Sequence, residues 1–176
     1  MSKRSRVELF QDHLEALPPD ERKRVAATAN GQVYLYVQAV LQQSARLQAS
    51  HSVTHTEHQA DAILFVHALK GLYAVATVAV TLAGDEASTS VTEAHERFGA
   101  ALPDLVIARD ALAHPDEYLA GFGKRQQVNG GEYLPWFARS GTSYTVMVGP
   151  HAIDVDQAAE LALDLASAIL TADYSR

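Results

Sequence analysis

Residues Thr56 to Ala83 read TEHQADAILFVHALKGLYAVATVAVTLA, and whether this stretch is helix or strand decides the fold. Its Ile, Val and Thr content suits β-strands. Strands rarely exceed about ten residues, however, and here more than twenty pass without a turn signal. A run of that length predicts a helix, opened by Thr54 or Thr56 and reaching about Ala83. Its most apolar part is Leu72 to Val80. Extension back to Ala62 brings in His67 and Lys70, so the tract reads as a buried bundle helix rather than a membrane span.

The flanks agree with a bundle. Val7 to Leu17 is a short amphipathic pattern closed by Pro18-Pro19. Asp20 then caps a long helix over about Glu21 to Ala49, with Val33, Val37, Val40, Leu41 and Leu47 on its apolar stripe. After Gly84-Asp85, Ser88 or Ser90 caps a fourth helix to Ala100. Pro103 suits the first turn of a fifth, which ends near Gly121-Phe122-Gly123. The pattern then changes: Tyr144 to Val148 reads as a strand, Gly149-Pro150 as a turn, and His151 to Val155 as a second strand. Asp154 or Asp156 starts a final helix through Leu170. The expected fold is all-α: one domain over residues 1–176, a bundle of about five to six helices with a small β-hairpin before the C-terminal helix.

Composition fits this class. The chain has 176 residues, 48% hydrophobic and 20% charged, enough for one domain with a real core. It has no cysteine, which excludes disulfides, thiolate metal sites and thiol nucleophiles. The basic start Met1 to Arg6 is not followed by a secretory apolar segment, so a cytoplasmic protein is expected. A formal net charge of −7 argues against a general nucleic-acid coat protein, although not against a local grip on one or two phosphates.

Ala108 to Lys124, ARDALAHPDEYLAGFGK, carries the chemistry. In a continuous helix Asp110, His114, Glu117 and Tyr118 share one face, with Arg109 on its shoulder. RNA cleavage by its own 2′-hydroxyl needs a group to take that proton, a group to protonate the leaving oxygen, and positive charge on the phosphorane. His114 suits the proton transfers because an imidazole titrates near neutrality. Arg109 offers a planar, permanently charged fork to phosphate oxygens. Asp110, one turn before His114, can orient the imidazole. No metal or other cofactor is needed. Pro115 disfavours helical geometry at His114, so the helix kinks there or His114 joins it to a short new helix.

Arg109-Asp110-x3-His114 followed by Asp116-Glu117-Tyr118, Gly121 and Gly123-Lys124 resembles the motif of the HEPN superfamily. These are all-helical domains that include RNA-cleaving toxins and defence nucleases. The resemblance implies a homodimer in which two such motifs face each other. Arg109, Asp110 and His114 would then be catalytic at the interface and Glu117 and Tyr118 supporting, with RNA as substrate and an antitoxin or other protein as partner. A second R-x4-H, Arg46 to His51, lacks the polar residue after the arginine and the acidic tail, and is set aside.

Other readings stay open. An HEPN-like module without catalysis would use the same polar groove for a partner protein or small ligand, Arg109 pairing with a carboxylate and His114 capping a helix. His51, His55 and His58 follow helical spacing and form a weaker, metal-binding alternative, against which stands the rarity of three ligands from one helix. His67 reads as a core histidine. Lys124 and Arg125 either touch RNA phosphates or sit in a solvated loop. Tyr133, Trp136 and Phe137 either stack on bases or anchor the hairpin to the bundle.

Overall fold

The computed structural model describes residues 6–49, 55–83, 85–114, 135–140 and 143–174. Among these are six helices: α1 (Arg6–Glu15), α2 (Pro19–Ala49), α3 (His55–Leu82), α4 (Asp85–Ala101), α5 (Leu105–Ala113) and α6 (Val155–Thr171). Between α5 and α6 lie β1 (Pro135–Ser140), β2 (Ser143–Val148) and β3 (His151–Asp154). The protein is a mostly α bundle carrying a small antiparallel sheet before its last helix.

The Thr56 to Ala83 stretch is helical, as its length requires. Thr77 and Thr81 are accommodated because their hydroxyls turn back on the helix. Thr77 Oγ1 donates to the Tyr73 carbonyl at 3.2 Å and Thr81 Oγ1 to that of Thr77 at 3.1 Å. By length and composition Glu57–Leu82 could cross a membrane. In this fold α3 is instead the helix on which α1, α2, α4, α5, α6 and β1 all pack. Phe65, Leu69 and Leu72 from α3 are fully buried with Val33, Val40 and Leu47 of α2, Phe98 of α4, and Leu165 and Ile169 of α6. Each such side chain contributes about 1.5–3 kcal/mol by leaving water.

Gly71 brings α2 and α3 together. A Cβ there would lie 2.3 Å from Cε1 of Tyr36, so the tyrosine ring occupies space that only glycine leaves. Lower on the same pair, Arg46 Nε donates to Asp61 Oδ1 at 2.8 Å. Asp61 is buried while Arg46 is largely exposed, so the arginine reaches in from solvent to neutralise a carboxylate of α3. The Gln48 amide donates to Asp156, tying α2 to the first turn of α6. Asp154 caps α6, its Oδ1 accepting from the Gln157 amide at 2.8 Å.

Four expectations need correction. Helix α4 starts at Asp85, which puts Ser88 and Ser90 inside it instead of at its cap. Pro103 precedes α5 instead of entering its first turn. The Leu105 amide bonds to the Leu102 carbonyl at 3.1 Å, with Asp104 at φ −88, ψ −7. That is a type I turn with proline at its favoured second position.

The β region has three strands in the order β1-β2-β3, not one hairpin. Besides the expected β2–β3 pair, β1 pairs with β2 from Pro135↔Val148 to Ser140↔Ser143. A strand that begins with proline is an edge strand, and its sequence signal is correspondingly weak. Pro135, Val146, Val148 and Ile153 face the bundle, whereas Trp136 pairs with Met147 on the outer face and is 46% exposed. Trp136 is therefore no anchor.

Finally, α5 ends at Ala113, far short of Gly121-Phe122-Gly123. His114 is its C-cap at φ −129, ψ 55, with its amide bonded to the Asp110 carbonyl. Pro115 is the reason: the residue before a proline is driven out of the α region. The single helical face joining Asp110 and His114 to Glu117 and Tyr118 is broken at His114. Glu117, Tyr118, Lys124, Arg125 and Tyr133 lie outside the described residues, as do His51 and the side chains of His55 and Phe137.

Candidate functional site

Leu105, Ala108 and Ala111 form the buried stripe of α5. Arg109, one residue round the helix from Ala108, emerges beside α3. Its Nη1 donates to Asp110 Oδ1 at 3.0 Å, with both side chains partly exposed, at 38% and 44%. Successive helix residues do not ordinarily face each other; the long arginine side chain bends back to make the bond. One of its five N–H donors is thereby held, leaving the rest of the fork for another acceptor.

The guanidinium borders an open groove of about 550 Å³ between α2, α3 and α5. Tyr36 and Ala39 supply one wall, and Leu64, His67, Ala68, Lys70, Gly71 and Ala74 of α3 the floor. His67 and Lys70 are spaced i, i+3, so both reach the same side as Arg109. Three basic side chains line the groove and, among the described residues, no carboxylate does. That is a local reversal of sign in a chain of net charge −7.

Electrostatics reflect the crowding. Burial first, then the positive charge of Arg109, holds His67 below the ordinary histidine range. The same two causes in the same order lower Lys70, partly opposed by the Asp110 carboxylate. Lys70 Nζ lies 5.3 Å from the centre of the Tyr73 ring, a cation–π contact. Tyr73 in turn stacks on His95 at 4.5 Å between ring centres and 5° between planes, while His95 Nε2 is 3.2 Å from Thr77 Oγ1. Burial pushes His95 down, and Glu96 and a backbone hydrogen bond to Tyr73 counter it.

Of the sequence-derived residues, Arg109 and Asp110 are in direct contact. His114 is exposed at the end of α5 and does not line the groove. The groove instead brings Arg109 to Lys70 and His67, of which sequence reading passed over the first and assigned the second to the core. The usable signal was their i, i+3 spacing as two polar side chains within an apolar tract. Arg46, the arginine of the other R-x4-H, is committed to Asp61 and serves to clip α2 to α3. Among the described residues no three His, Asp or Glu side chains are grouped to hold a metal.

The arrangement is suited to binding an anion: a forked cation, a point cation and an imidazole line one cleft whose other lining residues are mostly apolar. The class defined by fold and site is a helical bundle with a small antiparallel sheet and a basic groove at its α3–α5 seam. Comparison with protein-family models, with curated proteins and with solved structures finds no match.

Proposed function

We propose that this chain is an HEPN-like homodimer that cleaves RNA without a metal ion, in the cytoplasm, with Arg109, Asp110 and His114 as its catalytic residues. The observation that carries this reading is the placement of Arg109. It is held by Asp110 at 3.0 Å on the rim of a groove that no described carboxylate lines, five residues before an exposed His114. In the reaction the RNA 2′-oxygen attacks the adjacent phosphorus while its proton passes to the neutral imidazole of one copy's His114. The bond to the 5′-oxygen breaks, and that oxygen takes a proton from the protonated His114 of the second copy. The products are a 2′,3′-cyclic phosphate and a 5′-hydroxyl. Arg109 stabilises the charge that builds on the phosphorane oxygens, and Asp110 keeps the guanidinium aimed.

One observation favours a second reading. His114 lies outside the groove lining, so within one copy the histidine of the motif does not share the Arg109 site, and the imidazole that does is His67. A non-catalytic module would use the same basic groove for a partner protein, an antitoxin in a toxin or defence setting, or for a small anionic ligand.

RNA cleavage assayed with the purified protein in excess EDTA separates the two. Under the ribonuclease reading the protein sediments as a dimer and cleaves in EDTA. Arg109→Ala and His114→Ala each then lower the rate by about 100-fold or more. Wild-type protein that leaves RNA intact, or variants as active as wild type, would overturn it and leave the binding module.

A further inference from the structure

We infer that the groove beside Arg109 holds one unstacked nucleotide of single-stranded RNA, its phosphate between Arg109 and Lys70 and its base on the apolar lining to which Tyr36 and Leu64 contribute. The choice of RNA rests on the ribonuclease reading; the case for a bound aromatic anion rests on the groove itself.

The first argument is charge. His67, Lys70 and Arg109 line the groove from two helices, and burial first, then the charge of Arg109, disfavours the charged forms of the other two. Asp110 takes one bond from Arg109. The Asp110 carboxylate also acts on Lys70 through space, but among the described residues none forms an ion pair with it, and its ammonium lies 5.3 Å from the centre of the Tyr73 ring. Arg109 and Lys70 thus share the charge of Asp110, and an anion placed here adds a second counter-charge. A phosphate suits the site because its oxygens accept from the planar arginine fork and from the ammonium together.

The second argument is shape. At about 550 Å³ the groove falls within the roughly 300–1,000 Å³ typical of small-ligand sites. Apart from the three basic side chains its lining is mostly apolar, with Tyr36, Ala39 and Leu64 contributing and Leu64 53% exposed although it sits on the core helix. Tyr36 is set by Gly71, whose missing Cβ is what lets the ring lie against α3. An aromatic wall beside a phosphate-binding pair suits a nucleotide, since every base offers a flat face to stack. An acidic peptide would satisfy the cations but leave this wall without a flat partner.

The test is calorimetric titration of the full chain near neutral pH with 3′-AMP, adenosine and inorganic phosphate. The expected result is that 3′-AMP binds more tightly than either fragment and that Lys70→Met weakens it by about tenfold or more, while Lys70→Arg largely retains it. Leu64→Asp, a change at an exposed position, abolishes binding. Lys23→Met, which removes the same charge from the far end of α2, leaves it unaltered. The inference is overturned by undetectable 3′-AMP binding at millimolar concentration, by equal losses in Lys70→Met and Lys23→Met, or by an aspartate-rich peptide that binds as well as 3′-AMP. Its failure is distinct from that of the catalytic reading. A protein that binds 3′-AMP through Lys70 yet cleaves no RNA keeps the nucleotide site and loses the enzyme.

Discussion

The chain contains two arginines in R-x4-H spacing, and the structure assigns them opposite work, so their removal should give opposite phenotypes. Arg46 neutralises Asp61, whose side chain is only 5% exposed, through a 2.8 Å bond. Arg46→Ala leaves that carboxylate buried without its cation. Breaking a buried pair in this way costs about 3–5 kcal/mol, and we take the lower end, about 3 kcal/mol, because water can enter from the open side. Arg46 itself is 63% exposed, which is what opens that side. For a domain of this size each kcal/mol is about 2–4 °C, so the melting temperature should fall by roughly 6–12 °C.

Arg109 and Asp110 are 38% and 44% exposed, and a surface pair of that kind is worth about 0–1 kcal/mol. Arg109→Ala should therefore melt close to wild type, yet lose RNA cleavage and 3′-AMP binding. Arg46→Ala should keep both activities per folded molecule. The double variant Arg46→Met/Asp61→Leu, which removes both charges, should recover most of the lost stability, since apolar replacement of a buried pair is often neutral. Thermal melting and urea unfolding of the four proteins measure the stabilities, and RNA cleavage and 3′-AMP titration the activities. If Arg46→Ala is as stable as wild type, or if the double variant is no better than the single, the argument that Asp61 depends on Arg46 is wrong.

Three other outcomes follow from the geometry. Gly71→Ala adds helix propensity worth about 1 kcal/mol, but its Cβ would stand 2.3 Å from the Tyr36 ring. Displacing the ring costs about 1–3 kcal/mol, so stability should be unchanged or lower, with the Tyr36 ring resonances shifted and 3′-AMP affinity reduced; a more stable protein with unmoved resonances would contradict the packing. His67 and His95 are held below the ordinary histidine range, first by burial, so the unfolded chain takes up protons near pH 6.5 before the folded protein does. Stability should therefore fall as pH drops through and below that value, be insensitive to these groups above it, and fall less steeply in His95→Gln when melting is followed across the range. Asp154→Ala removes the cap on the Gln157 amide and should cost about 1 kcal/mol, whereas Asp154→Gly should cost only a few tenths; equal losses would mean that the side chain is not the cap.

Much of the fold was legible because helix length and periodicity are local properties. The α2 stripe of Val33, Val37, Val40 and Leu47 is buried as its spacing requires, and α3 is a helix because no strand is that long. The strand β1 was not legible. Proline at its start weakens the local signal, and only pairing along β2 makes it a strand. Pro115 did forecast a break at His114, and what followed from it is that α5 stops there instead of carrying the motif onward.

The sequence alone determined that the chain is a helical bundle, that Arg109, Asp110 and His114 fall close together in the chain at the end of its fifth helix, and that cysteine chemistry is excluded. Tertiary structure decided which arginine clips a buried carboxylate and which borders the groove, because a carboxylate's burial depends on what packs over it and not on its neighbours in the chain. It also decided that Lys70 and His67 join Arg109. They are about forty residues distant in sequence, and no periodicity within either helix specifies which face of α3 the rim of α5 will meet. That choice belongs to the packing of Leu105, Ala108 and Ala111 against the core, which turns Arg109 toward the groove.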